Sequence, residues 1–279
     1  MINDKIIAAN KLVHSSLVLA GNYETSPHFL PENKLRVRNK LTMGVIPLLN
    51  TDQIKAIDFG CGTGFMIDLL VDLVDAVDGI DITSEMLDRV DVSSGKVSLT
   101  LGLAEHTPFD QCSFHLATAY SFLDHLSDLK SFLGEVHRVL QPGGVFYAGL
   151  NPNKGFSELI KSTAKRFSEE SEKNPLIARE LEGVHANGIK YKNEFGIDDE
   201  MVELAENIKT VEGGFDAEEV RSAALDIGFK SVAHQYEWFL GQAAYREDPG
   251  SEDTISKYLD QISPISTQLF KYVSFVMRK

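Results

Sequence analysis

Cysteine is scarce in this chain: Cys61 and Cys112 are the only two in 279 residues. Two thiols supply neither a disulfide framework nor a thiolate metal cluster, and the usage fits a reducing, cytoplasmic compartment. Positive charge is also short. Lys and Arg number 27 against 41 Asp and Glu, a formal net charge of −14 at pH 7. That balance leaves no reservoir of positive potential for a phosphate backbone and argues against nucleic acid as the main partner. Long apolar runs are missing too. A membrane span needs roughly 18 uninterrupted apolar residues, whereas the SLVLA segment at 16–20 follows Asn10, Lys11 and His14. These interrupt what would have to be a signal core, so the segment reads as part of an amphipathic helix. The eight histidines show no metal-ligand spacing with acids, and no metal is expected. Internal repeats and low-complexity segments are absent.

With 43% hydrophobic residues, the chain can bury one sizeable core, and residues 1–279 are expected to form one elaborated domain. Its organising stretch is KAIDFGCGTGF at 55–65. Ala56 and Ile57 are apolar, Asp58 closes a buried strand, and Gly60, Gly62 and Gly64 let the backbone turn sharply and approach a bound molecule. Met66, Ile67, Leu69, Leu70 and Leu73 then adopt helical spacing.

Residues 1–50 read as helical, with breaks at 21–23 and 26–27 and with Ile6, Ile7, Leu12, Val13 and Leu17 on compatible faces. A second helix from Glu32 directs Leu35, Val37, Leu41, Val45 and Leu48 toward the core. Its basic residues, Lys34, Arg36, Arg38 and Lys40, either face solvent or touch an acidic ligand. Strands are expected at 54–58, 76–81, 97–101, 114–120, 145–150, 230–239 and 270–277. Their alternation with helices indicates an α/β fold with a parallel sheet covered on both faces. Leu129, Phe132, Leu133, Val136 and Leu140 form one helical stripe, stopped by QPGG at 141–144. Asp216 opens a capping box whose helix Gly228 ends. Residues 152–213 are too long for a crossover loop and read as a helical cap insertion over the open end of the sheet, with helices at 158–173 and 198–209. Residues 241–265 read as a second, irregular insertion.

The glycine spacing bears on the ligand. In the dinucleotide pattern G-x-G-x-x-G the third glycine follows the first by five residues. Here that position is Phe65, and Gly64 comes one earlier. An acid two residues before Gly60 disfavours a pyrophosphate at the helix N-terminus and suits a ligand with an amino group. Asp81, at the end of the second strand, stands where a carboxylate accepts both hydroxyls of a ribose. An adenosine bearing an amino acid satisfies both acids; alternatively, Asp58 and Asp81 each cap the turn that follows.

Together with GIDITSEM at 79–86, GLAEHTPF at 102–109 and EVHRVLQPGG at 135–144, DFGCGTG at 58–64 resembles class I S-adenosylmethionine-dependent methyltransferases, in the branch of the ubiquinone and menaquinone C-methyltransferases. LDIGF at 225–229 is similar to that family's late helix-to-strand turn. The resemblance covers about 54–150 and 214–232. It implies a doubly wound, seven-stranded, mostly parallel sheet with the last strand antiparallel, and S-adenosylmethionine as cofactor. It further implies that Asp58 and the backbone of Gly60, Cys61, Gly62 and Gly64 hold the methionine moiety, with Ala119 or Tyr120 at its amino group. Asp81 would take the ribose, Ile82 and Met86 the adenine faces, and Ala104 and Glu105 the adenine edge. Tyr23 matches a tyrosine of an N-terminal lid, here residues 1–50. Two positions depart from the pattern: Leu103 stands where an acid usually meets the adenine amine, and His115 where an acid usually opens the fourth strand.

Methyl transfer is an in-line displacement from an activated sulfonium, so the protein chiefly aligns and desolvates, and a base matters only when the acceptor loses a proton. His125 and Tyr120 are the candidates for that role, beside Asp124 and Asn151. His125 otherwise packs within its helical turn. Cys61 reads as a small turn residue rather than a nucleophile. His28, His185 and His234 lack a sequence partner. Phe156, Phe167, Tyr191, Phe195, Trp238 and Phe239 either line an apolar acceptor pocket or fill the cap core. The expected function is methyl transfer to a small-molecule acceptor by a monomer or homodimer. The alternative is an S-adenosylmethionine-binding protein, or a non-methylating enzyme, on the same fold.

Overall fold

The computed structural model describes residues 2–21, 23–170, 196–245 and 248–279. The apolar segments recognised above become β1 (Lys55–Phe59), β2 (Ala76–Asp81), β3 (Val97–Leu101), β4 (Phe114–Tyr120), β5 (Leu140–Pro152), β6 (Ser231–Phe239) and β7 (Phe270–Arg278). They form one sheet in the order β3-β2-β1-β4-β5-β7-β6. The first five strands pair in parallel, and β7 runs antiparallel to both neighbours. The central strands carry near-continuous apolar runs because both faces are covered. Edge strand β6 instead alternates exposed and half-buried positions. This doubly wound sheet is the expected fold.

β5 starts five residues earlier than expected. The QPGG segment does end the preceding helix, but the chain then pairs directly with the C-terminus. Gly143 N–H donates to Lys279 O (2.9 Å) and Lys279 N–H to Gly144 O (3.0 Å). A non-local ladder thus turns a local stop signal into strand.

Helix α1 (Ile2–Leu19) buries Ile6, Ala9, Val13 and Leu17, whereas Leu12 is exposed. Helix α2 (Pro31–Lys40) runs into a π-turn over Leu41–Val45 and a 3-10 turn over Ile46–Leu48. Val37, Leu41 and Val45 are buried, whereas Leu35 within α2 and Leu48 beyond the change of pitch are exposed. The basic run of α2 meets acids of the same chain: Lys34 pairs with Asp68 (3.9 Å), Arg36 with Glu252 (2.5 Å) and Lys40 with Glu237.

The crossover helices α3 (Phe65–Leu70), α4 (Ser84–Leu87) and α5 (Leu129–Val139) follow the turns after β1, β2 and β4. Asp128 caps α5 by accepting from Lys130 N–H (3.0 Å) and Ser131 N–H (3.3 Å). Phe132, Leu133 and Val136 of α5 pack with Phe59, Phe114 and Phe146 on one sheet face. On the other face, α3 packs with Tyr120, Tyr147 and the end of α2.

Beyond β5 lie α6 (Lys154–Glu170), α7 (Asp199–Ala205), α8 (Asn207–Val211), α9 (Ala217–Ile227) and α10 (Pro249–Gln261). The single helix expected at 198–209 is broken at Glu206 (φ −113°, ψ 45°) into α7 and α8. Asp216 caps α9 by accepting from Glu218 N–H (2.9 Å) and Glu219 N–H (3.0 Å), and Gly228 at φ 122° ends it. The segment expected to be irregular at 241–265 contains α10. Asp248 accepts from Ser251 N–H (3.1 Å) and Pro249 takes the first helical position, so residues that look like loop formers are a helix start. No helix among the described residues is long and apolar enough to cross a membrane.

Candidate cofactor site

The glycine turn leaves β1 with Gly60, Gly62 and Gly64 at φ 62°, 52° and 96°, a region that favours residues without a Cβ. Gly60 and Cys61 donate their N–H groups to Ile80 O at 2.8 and 3.1 Å, which pins the turn to β2. Asp81, the last residue of β2, then accepts from Gly62 N–H (3.0 Å) through Oδ2 and from Thr83 N–H (2.8 Å) through Oδ1. Burial raises its pKa above the ordinary value against the pull of these hydrogen bonds. Its carboxylate lies at a cavity over the C-terminal ends of β1, β2 and β3.

That cavity brings together Tyr23, Gly60, Gly62, Asp81, Ile82, Met86, Ala104, Glu105 and His125 of the expected site residues. Glu105 Oε1 accepts from Ser127 N–H (3.3 Å) and Ser127 Oγ (3.1 Å), which joins the β3 edge to the segment after β4. Tyr23 reaches over the turn: a Cβ on Gly62 would lie 3.0 Å from its hydroxyl. A Cβ on Gly60 would lie 2.0 Å from the Phe122 ring, so this glycine is required by a protein side chain.

Asp58, Cys61, Gly64, Ala119 and Tyr120 do not line the cavity. Asp58 is buried beneath the turn, accepts from Thr118 Oγ1 at 2.7 Å, and burial pushes it up to about 8. The Cys61 side chain points toward β2, with Sγ 3.0 Å from where a Cβ on Gly79 would stand. Burial pushes its thiol well up, which suits an inert filler. The Tyr120 ring stacks on Phe65, centroids 4.8 Å apart, in the core layer opposite α5. Burial drives its hydroxyl pKa well up.

Ser121, at φ 51°, turns the chain out of β4 so that Ser121, Phe122, His125, Leu126 and Ser127 face the cavity. His125 Nδ1 lies 2.6 Å from Ala205 O at the end of α7; a carbonyl only accepts, so Nδ1 carries the proton. Its Nε2 lies 3.9 Å from Asp124 Oδ1. Asn151 donates to Ala148 O (3.2 Å) and Val273 O (3.0 Å), which ties β5 to β7. His115 Nδ1 accepts from Lys55 N–H at 3.1 Å, a structural use that explains the departure at the head of β4.

Among the expected pocket aromatics, Phe156 and Phe239 are buried, and Trp238 stands edge-on to Tyr272 at 5.5 Å. His28 packs on Phe29 and Phe65, and its burial lowers its pKa to about 4. His234 is edge-on to Tyr236 on β6 at 5.5 Å. The side chain of Phe167 and residues His185, Tyr191 and Phe195 lie outside the described residues.

Asn10 and His14 are among the cavity residues that escaped the sequence reading, in which they only interrupt an apolar run. Both project from α1 into the cavity. Asn10 is 3% exposed. His14 meets His125 edge to face, centroids 4.8 Å apart; burial, with His125 beside it, lowers its pKa to about 3, so it is neutral. Their signal was available: two polar residues four apart on the helix stripe that carries Ile6, Val13 and Leu17.

The sheet order, with its antiparallel β7 beside β5, and an acid-flanked glycine turn define a Rossmann-like methyltransferase fold. Residues 57–148 match the methyltransferase domain family. A Mycolicibacterium smegmatis protein named a probable S-adenosylmethionine-dependent methyltransferase is 26% identical over 145 residues, 52% of this chain and 53% of that one. The demethylmenaquinone methyltransferase of Chlorobaculum tepidum is 35% identical over 94 residues, 33% of this chain and 39% of that one. The matches thus span about half or less of these relatives' lengths. A SAM-dependent methyltransferase from Archaeoglobus fulgidus shares the fold with a TM-score of 0.52 at 13% identity, over 88% of this chain and 94% of that one. Over residues 57–148 the chain is thus similar to S-adenosylmethionine-dependent methyltransferases.

Proposed function

We propose that this protein transfers a methyl group from S-adenosylmethionine to a small-molecule acceptor. The observation that carries the reading is Asp81: each oxygen is held by a backbone N–H, and the carboxylate faces a cavity whose opposite wall is α1. A carboxylate so fixed keeps lone pairs for a vicinal diol, the recognition a ribose needs. The cavity fits a nucleoside chemically as well. Ile82, Met86 and Ala104 offer apolar surface for a base, and Asn10 Oδ1 and His14 Nδ1 are buried polar atoms without a partner among the described residues.

When bound, the cofactor supplies a methyl group already activated by its sulfonium, so the protein's task is alignment and exclusion of water. In this reading Asp81 accepts from the ribose, Ile82 and Met86 flank the adenine, and Tyr23 closes over the turn. Gly60 and Gly62, which line the cavity, serve the methionine end beneath Phe122, and Asp58 supports the turn from below through Thr118. His125 takes the proton from an acceptor that must lose one, through Nε2, while Nδ1 stays on Ala205. Tyr120 keeps a packing role. The described parts of residues 1–50 and 152–213 act as lid and cap, supported by the shared core of α1 and α7. That enclosure, the net charge of −14 and a relative named for a quinone precursor favour a small acceptor over nucleic acid.

Isothermal titration calorimetry with S-adenosylmethionine and S-adenosylhomocysteine tests this reading. Binding is expected, and Asp81→Ala should weaken it by one to two orders of magnitude, about 1.5–3 kcal/mol for hydrogen bonds to a charged group. Failure of the wild type to bind either compound refutes the function, and unchanged affinity in the variant refutes the ribose role.

A further inference from the structure

We propose that Asn10 Oδ1 is the hydrogen-bond acceptor for the exocyclic amine of the cofactor's adenine, so that α1 sets which nucleoside the cavity takes. This rests on the S-adenosylmethionine reading above. The amide orientation of Asn10 is fixed by its donor end: Nδ2 donates to Ile6 O (3.0 Å) and to His125 O (3.2 Å). Both partners are carbonyls and can only accept, so the oxygen must point the other way. It is buried and has no partner among the described residues. A buried carbonyl left in that state is unfavourable, and a ligand donor would satisfy it.

The position along the cavity selects the donor. The His125 carbonyl that Asn10 grips leads into Leu126 and Ser127, and Ser127 holds Glu105. Asn10 therefore stands at the Leu103–Glu105 end. One helical turn on, His14 stands 6.2 Å from the Tyr23 ring, whose hydroxyl overhangs Gly62, at the glycine-turn end. An adenosine has three donor groups, two ribose hydroxyls and one exocyclic amine. The hydroxyls belong with Asp81 at the turn end, which leaves the amine for Asn10. On the facing strand edge the Leu103 side chain is carbon only and Glu105 Oε1 accepts twice from Ser127, whereas Asn10 Oδ1 has no partner among the described residues.

Calorimetry on the full chain with S-adenosylhomocysteine and S-inosylhomocysteine, in which a carbonyl replaces the amine, tests the assignment. The wild type should prefer the adenine compound by about tenfold or more, since the inosine carbonyl would face Oδ1 acceptor to acceptor. Asn10→Leu should lose about tenfold for S-adenosylhomocysteine and little for the inosine compound, which collapses the preference. Asn10→Asp keeps an acceptor while losing both ties to α1 and the His125 segment, and should retain it. Equal affinity of the wild type for the two compounds overturns the proposal without any variant. So does an Asn10→Leu protein that keeps the wild-type preference, or one that weakens for both compounds alike, because Asn10 would then be only a tether. A wild type that binds neither compound refutes the methyltransferase reading itself, a different result from binding without selectivity.

Discussion

Asp58 carries its carboxyl in a place water does not reach, 2% exposed beneath the glycine turn, with Thr118 as its hydrogen-bond donor. Burial outweighs that hydrogen bond, and the nearby Asp81 adds to it, which raises the group from 3.8 to about 8. A raised acid binds more protons folded than unfolded, so its contribution is fully present below about pH 4 and is lost as pH climbs through about 8. Wild-type stability should therefore fall across that window relative to Asp58→Asn, as read by urea denaturation at a series of pH values. A stability difference that stays flat with pH would contradict the burial argument. Gly60 yields a steric counterpart. Its φ of 62° and a Cβ position 2.0 Å from the Phe122 ring predict that Gly60→Ala costs about 1–3 kcal/mol by overpacking. Adding Phe122→Ala should recover part of that loss, and a double-mutant cycle without coupling would show that backbone strain alone is responsible.

At the scale of elements, the site depends on two helices that no local pattern pairs. Ala9, Val13 and Leu17 of α1 share a core with Ile197, Val202 and Ala205 at α7, and the end of α7 holds His125 through the Ala205 carbonyl. Removing two methyl groups by Val13→Ala should cost about 1–3 kcal/mol. It should speed hydrogen exchange in α1 and α7 together while the central strands keep their protection. Loosening of α1 alone would mean that the two helices are independent units. The same scale shows where local reading stops. The basic stripe of α2 had two readings, solvent or an acidic ligand, and the fold answers with Asp68, Glu237 and Glu252 from three other elements. Pro249, Gly250 and Ser251 look like a loop until Asp248 caps them into α10.

For the whole molecule, β7 is the strand that unites the sheet. It lies between β5 and β6 and buries Val273, Phe275 and Met277 completely. Deleting residues 270–279 should leave β6 without its partner and the edge of β5 open, giving a chain that aggregates rather than a shortened domain. Size-exclusion chromatography and circular dichroism would test this; a soluble, cooperatively unfolding truncation would rule the idea out.

The strands, the turn and the acid pair were legible from residue order because their causes are local. Period-two and period-3.6 spacing follows from backbone geometry, left-handed φ calls for glycine, and Asp58 and Asp81 lie at the ends of strands set by that same spacing. Tertiary structure alone decided which polar groups share the cavity. Asn10 meets the His125 carbonyl across 115 residues, and His125 meets Ala205 across 80. It also decided that Tyr120 at the end of β4 and Cys61 within the glycine turn point into packed core while Asn10 and His14 line the cavity. Side-chain direction at a strand end is set by what packs on either face, and only the folded sheet brings those faces together.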